Sequence, residues 1–185
     1  MSWLAEDRSR IAAERILDAA GELFARHGIG SVSMGDVARA AGCSRATLYR
    51  YFADRHELHL AYVHREARRV GELVAADVRR YRNPERRLTA AILAALHRVR
   101  ANPSLAAWFG AGDAGATAEL AGSSPVLEAL GLTLLEDPLA ARWAVRVIVS
   151  LLVVPGRDEA EERALVERFV VPALIASSGA RLSQA

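Results

Sequence analysis

The densest chemistry in this sequence lies between Ser44 and Tyr51. There Ser44, Arg45, Thr47, Tyr49, Arg50 and Tyr51 gather hydroxyl and guanidinium groups within about two helical turns. Hydroxyls and arginines are the usual donors to phosphate oxygens, and a guanidinium can also read the O6 and N7 edge of guanine with two hydrogen bonds. From Arg39 to Ala53 the chain carries Arg39, Arg45 and Arg50 and no acid, although the formal net charge of all 185 residues is only +2. A local basic stripe on a nearly neutral body suits docking of phosphates at one place.

Other chemistries find less support. His56 and His59 share a helical face, but His64 points elsewhere, and no cysteine or acid completes a zinc-type ligand set, so a solvated helix face is expected and no metal. Cys43 is the single cysteine, which excludes a disulfide framework and a cysteine-rich zinc site; a lone small thiol reads as packing. The chain shows no phosphate-cradling glycine loop, nucleophile elbow, His-Glu metal motif or paired acids in an apolar setting, so neither an enzyme nor a cofactor is expected. Met1 to Arg10 is polar and charged, and the most apolar stretch, Val147 to Val154, is too short to span a bilayer. A soluble cytoplasmic protein is the expectation.

The elements that must position the Ser44–Tyr51 groups are all helical. Alanine, leucine, arginine and glutamate dominate while aromatic residues make up only 6%, a mixture that favours helix. Ile16, Ala20, Leu23, Phe24 and His27 fall on one face of a first helix from about Ser9 to His27, with Gly28 as its stop. Ser33 can cap a short second helix, Gly42 ends it, and Ser44 caps a third from Arg45 to Tyr51. Val37, Ala38, Ala41 and Leu48 can hold these two helices at a fixed angle. Two short helices joined by a tight turn with glycine form a helix-turn-helix, whose second helix enters the major groove of DNA. Asp54 caps a long fourth helix to about Arg82, and Asn83-Pro84, Asn102-Pro103, Ser124-Pro125 and Asp137-Pro138 each restart the chain. Gly110 to Ser124 is the least regular part. Asp158 caps a last helix to about Ala176, bent near Pro172. The fold class expected is all-α, with eight or nine helices.

The run Ala41-Gly42-Cys43-Ser44-Arg45-Ala46-Thr47-Leu48-Tyr49-Arg50-Tyr51-Phe52, followed by Asp54-Arg55-His56-Glu57-Leu58, resembles the N-terminal signature of the TetR family of transcriptional regulators. Ile16 to Phe24 and His27-Gly28 resemble the first helix of that family. The resemblance is dense over residues 10–62 and rests on helix order and the last two helices beyond them. It implies a DNA-binding domain over residues 1–55 and an effector-binding, dimerising domain over 56–185. It also implies base contacts from Arg45, Ala46, Tyr49 and Arg50, and phosphate contacts from Ser33, Ser44, Thr47, Tyr51 and Arg55. Cys43 stands where valine is usual, Ala46 where glycine, proline or lysine is common, and Asp54-Arg55 where Ser/Asn-Lys is usual.

Two expectations concern the body. Leu139 to Val154 and Ala164 to Ile175 are apolar on more than one face, and such helices are buried on both sides. Trp143, Val147, Leu151, Phe169, Val170 and Leu174 could therefore build a homodimer interface, the task the resemblance assigns to the same helices. Leu93, Leu96, His97, Arg100, Trp108 and Phe109, with Trp143 or Arg146 from the far side, are candidate linings of an effector pocket. The function that follows is a small-molecule-responsive repressor binding a palindromic duplex operator as a dimer. An activator of the same fold and a helical scaffold without DNA binding are the alternatives.

Overall fold

The computed structural model describes residues 3–109 and 124–179, and no strand occurs among them. In chain order the helices are α1 (Trp3–His27), α2 (Met34–Ala40), α3 (Arg45–Tyr51), α4 (Arg55–Val78), α5 (Pro84–Arg100), α6 (Pro103–Ala106), α7 (Pro125–Leu132), α8 (Pro138–Val153), α9 (Glu159–Leu165) and α10 (Val171–Gly179). A 3₁₀ turn, Ile29–Ser31, links α1 to α2, and a π-helical stretch, Val166–Val170, joins α9 to α10. The irregular segment expected from Gly110 lies outside the described residues up to residue 123. None of the described helices is long and apolar enough to cross a membrane.

Local chemistry explains most of the boundaries. Ser33, Ser44, Asp54, Asn83, Asn102, Ser124, Asp137 and Asp158 each accept a hydrogen bond from a first-turn amide of the helix that follows. Such a cap is worth about 1 kcal/mol. Proline opens α5, α6, α7 and α8, where its missing N–H leaves nothing unpaired. Three boundaries differ from expectation: α1 begins at Trp3, α4 ends at Val78, and the last helix changes register before Pro172. Pro172 has no amide to donate back to the carbonyl of Arg168, and the π stretch just before it accommodates that gap.

One core gathers Ile16, Ala20 and Phe24 of α1, Val37 and Ala38 of α2, Leu48 of α3, and Leu58 and Tyr62 of α4, with Leu105 and Trp108 from α6 and just beyond. This core continues past residue 55, so α4 enters the N-terminal unit as a structural member. A second core packs Leu88, Ile92 and Leu96 of α5 against Ala140, Ala141 and Ala144 of α8 and against Val166, Val170 and Leu174. Helix α4 packs against α1 at one end and against α5 and α7 along its body.

At the junction Arg65 is only 8% exposed. Its Nη1 donates to Asp18 Oδ1 at 2.8 Å and to Glu14 Oε2 at 3.2 Å on α1, while its Nε donates to Glu66 Oε1 at 3.0 Å. Tyr62 Oη donates to Ser104 Oγ at 2.5 Å, and Asn102 Nδ2 to Glu66 Oε2 at 3.4 Å. A buried cation held by several carboxylates resists displacement, because moving it strands charges out of water. Helix α4 thus carries α1 on one side and α6 on the other through a shared polar network.

Candidate nucleic-acid interface

Helix α3 is presented by α2 through a small apolar hinge. Leu48 is 0% exposed and sits in the first core with Val37, Ala38 and Ala41. Gly42 holds φ +68°, a left-handed conformation that costs other residues dearly, and Cys43 N then donates to Ala38 O at 2.9 Å. Cys43 itself is half-buried against the same core.

Both helices are pinned at their N-termini. Ser33 and Asp36 form a reciprocal box: Asp36 N donates to Ser33 Oγ at 3.2 Å, and Ser33 N and Oγ donate to Asp36 Oδ2 at 3.1 and 2.6 Å. These bonds from Ser33 hold the Asp36 carboxyl below the usual carboxylate range. Ser44 Oγ accepts from Thr47 N at 3.1 Å and lies 2.9 Å from Thr47 Oγ1.

With Leu48 facing inward, the opposite face of α3 is bare. Ser44, Arg45, Ala46, Tyr49 and Arg50 are exposed, and Thr47 and Tyr51 are half-buried. Arg39 pairs with Asp36 at 3.1 Å, whereas neither Arg45 nor Arg50 has an acidic partner among the described residues. Arg50 instead lies over the Tyr51 ring, its Cζ 5.4 Å from the centroid. Ser33 is exposed at the start of α2. Arg55 has a more local engagement than its expected phosphate role: its Nη2 donates to the carbonyls of Ile29 at 2.6 Å and Gly30 at 3.0 Å, tying the 3₁₀ turn to α4. Of the expected contact set, Ser33, Ser44, Arg45, Ala46, Tyr49, Arg50 and Arg55 are exposed, and the guanidinium groups of Arg45 and Arg50 have no acidic partner among the described residues.

Gly35, buried on α2, is a neighbour of Arg45 that sequence reasoning missed. A Cβ there would collide with Arg45 Nη2 and lie 3.0 Å from Arg45 Cζ and Nε. Glycine in a helical turn is unfavourable by roughly 1 kcal/mol relative to alanine, and that cost was the available signal of a close approach.

The expected effector-pocket residues separate. An apolar cavity of about 160 Å³ lies between α4, α5, α7 and α8, and Phe109 lines it. Trp108 does not. It is 2% exposed and packs edge-on against Phe24 and His59, centroids 6.4 and 5.2 Å away, because the aromatic cluster of the first core claims it. Arg100 Nη1 and Nη2 donate to Glu162 Oε2 and Oε1, each at 2.7 Å, and this pairing fastens α5 to α9. The bonds from Arg100 hold Glu162 below the usual carboxylate range. Leu96 is in the second core, Leu93 packs beside it, and His97, Trp143 and Arg146 are exposed. What the sequence did not offer as lining are Ala67, Ala75, Ala91 and Ala95, short side chains along the cavity wall, and Gly71, against which Leu130 packs.

The expected dimer residues also divide. Trp143 is 51% and Phe169 65% exposed, with Leu139 and Leu165 exposed on the same helical segments. Val147 and Leu151 are half-buried. Val170 and Leu174 are buried within the chain's own second core, on one helical face with Val166. His64 Nε2 lies 2.9 Å from Ser124 Oγ, His59 packs on Phe24, and no group of three potential ligands suits a metal among the described residues.

Residues 16–62 match the model of the tetR family of bacterial regulatory proteins. A protein of Mycobacterium tuberculosis named as an HTH-type transcriptional regulator is 46% identical, the match covering 96% of this chain and 93% of the relative. Among solved structures, the TetR family repressor AlkX from Dietzia sp. superposes with a TM-score of 0.69 at 22% identity, over 89% of this chain and 95% of that one. The structure of RolR in complex with resorcinol superposes with a TM-score of 0.71 at 16% identity, over 91% and 90%.

Proposed function

The chain belongs to the TetR family of bacterial regulatory proteins and is a helix-turn-helix transcriptional regulator, and from that premise we propose that it is a dimeric repressor released from its operator by a small molecule. The observation that carries the reading is the division of α3: Leu48 is fully buried, while Arg45, Tyr49 and Arg50 face solvent without acidic partners among the described residues. A helix anchored on one face and bare on the other is what insertion into a major groove requires. Arg45, Ala46, Tyr49 and Arg50 are assigned to base edges, and Ser33, Ser44, Thr47, Tyr51 and Arg55 to phosphates.

The dimer is proposed through α8 and the last helical segments. Leu139, Trp143 and Phe169 are large apolar side chains left exposed on these segments, surface that a second copy of the chain would cover. A twofold axis there would place two α3 helices on successive grooves if their separation matches about one turn of DNA, roughly 34–36 Å. Release is proposed through α4. Its body lines the cavity and also carries α1 through Arg65, between the lining residues Val63 and Ala67, so a ligand that displaces α4 alters that separation. Such a ligand shifts a population between two arrangements by its difference in affinity for them.

Selection of bound duplexes from random DNA, followed by titration with candidate effectors, tests the reading. The expected result is a palindromic consensus whose affinity falls when effector binds. An effector that occupies the cavity and leaves operator affinity unchanged overturns the release mechanism.

A further inference from the structure

We propose that the α4–α5–α7–α8 cavity is selective for a small, uncharged, hydrocarbon-like molecule with at most one hydroxyl or amine donor, the size of a single aromatic ring with a short substituent. This deepens the reading of the cavity as the effector site and rests on it.

Size comes first. The cavity holds about 160 Å³. An apolar cavity of about 150 Å³ lined by leucine, isoleucine and phenylalanine stays dry and accepts benzene, so the capacity here is about six to eight carbon atoms. Its walls are made of side chains such as Ala67, Ile92, Ala95, Phe109 and Leu130, and Thr133 is the one lining residue with a polar side chain among those described.

Charge follows. No arginine, histidine, aspartate or glutamate lines the cavity among the described residues. The nearby cations of α5 are already engaged: Arg98 donates to Asp77 Oδ2 at 3.0 and 2.6 Å, and Arg100 is bound to Glu162. The backbone amides and carbonyls inside the α4 and α5 walls are consumed by helical hydrogen bonds. A carboxylate, phosphate or ammonium entering this space would surrender its hydration with no charged side chain of the described lining to replace it.

Thr133 sets the donor limit. It is exposed, and its hydroxyl donates to Leu130 O at 2.7 Å. Its proton is therefore committed, while its oxygen keeps acceptor capacity as the one polar side-chain group that the described lining offers a ligand donor. A ligand with several hydroxyls would leave the others unpaired against alkyl walls.

Thermal unfolding of the full chain with toluene, octanoate or palmitoyl-CoA tests this, with operator binding measured in parallel. Saturating toluene should raise the melting temperature by about 3–5 °C, and the two anions should not. Ala95→Leu should abolish the toluene shift by filling the space; if that variant does not fold, Ala95→Val should weaken toluene binding about tenfold. Stabilisation by either anion, or no shift with toluene, overturns the inference. A toluene shift with unchanged operator affinity supports the ligand class and rejects only the release mechanism. An anion that both stabilises the chain and releases DNA does the reverse.

Discussion

The guanidinium of Arg45 on α3 lies across Gly35 on α2, so close that a single added methyl group at residue 35 would occupy the place of Nη2. The residue proposed to read bases is thus supported from below by the absence of a side chain on the neighbouring helix. The far end of an arginine can move aside, so the constraint bears on where Arg45 rests and little on whether the domain folds.

Gly35→Ala is accordingly expected to leave folding intact, with stability unchanged or raised by up to about 1 kcal/mol through helix propensity. Operator affinity should fall several-fold as Arg45 is displaced. Thermal unfolding and fluorescence anisotropy on the same preparation check both halves. A loss of stability with unchanged DNA affinity would contradict the supporting role.

Arg45→Ala and Tyr51→Phe should differ in kind. Losing a guanidinium contact to a base edge should cost about 1–3 kcal/mol and relax preference at one position of each half-site. Losing the Tyr51 hydroxyl should weaken binding to all duplexes alike, because a phosphate contact carries no base information. Binding across a panel of single-base operator variants separates the two patterns.

Glu162→Gln keeps the outline of the Arg100 pair and removes its charge. The Arg100 hydrogen bonds hold the Glu162 carboxyl below its ordinary value, so its contribution is complete above the unfolded-chain value of 4.5 and is lost as pH falls through the lower folded value. At neutral pH the variant should be less stable by about 1–2 kcal/mol. The two denaturation curves should converge at acid pH. A gap of constant size from neutral to acid pH would deny the ion pair this role.

Trp143→Asp combined with Phe169→Asp should give a folded monomer, since both side chains are mostly exposed within one chain. Operator affinity should drop roughly a hundredfold when two half-sites can no longer be engaged together. Sedimentation measures the mass, and an unchanged dimer would place the interface elsewhere.

The sequence was most readable where structure is decided by a few neighbours. Ser33, Ser44 and Asp158 cap helices as their types and positions suggest, Gly42 makes the turn, and α3 runs from Arg45 to Tyr51 as expected. The outward set on α3 follows from knowing that Leu48 must be buried. Long-range packing was not legible. Trp108 was expected in the pocket lining, and only its contacts with Phe24 and His59 assign it to the core. Val170 and Leu174 lie at i+4 and i+8 from the fully buried Val166 and share the second core with it; an apolar stripe alone does not say whether it faces the chain's own core or a partner. The cavity was missed because alanine and glycine, which line much of it, carry little weight in a search for large apolar stripes.

The central claim is that the exposed face of α3 binds duplex DNA, and its most direct test is the salt dependence of operator affinity for the wild-type chain and for Arg45→Ala. The account predicts a steep linear fall of log Kobs with log salt, as phosphate contacts release counterions, and a slope shallower by less than about one unit in the variant despite its lost base preference. An affinity indifferent to salt, or no binding to any duplex at low ionic strength, would contradict it.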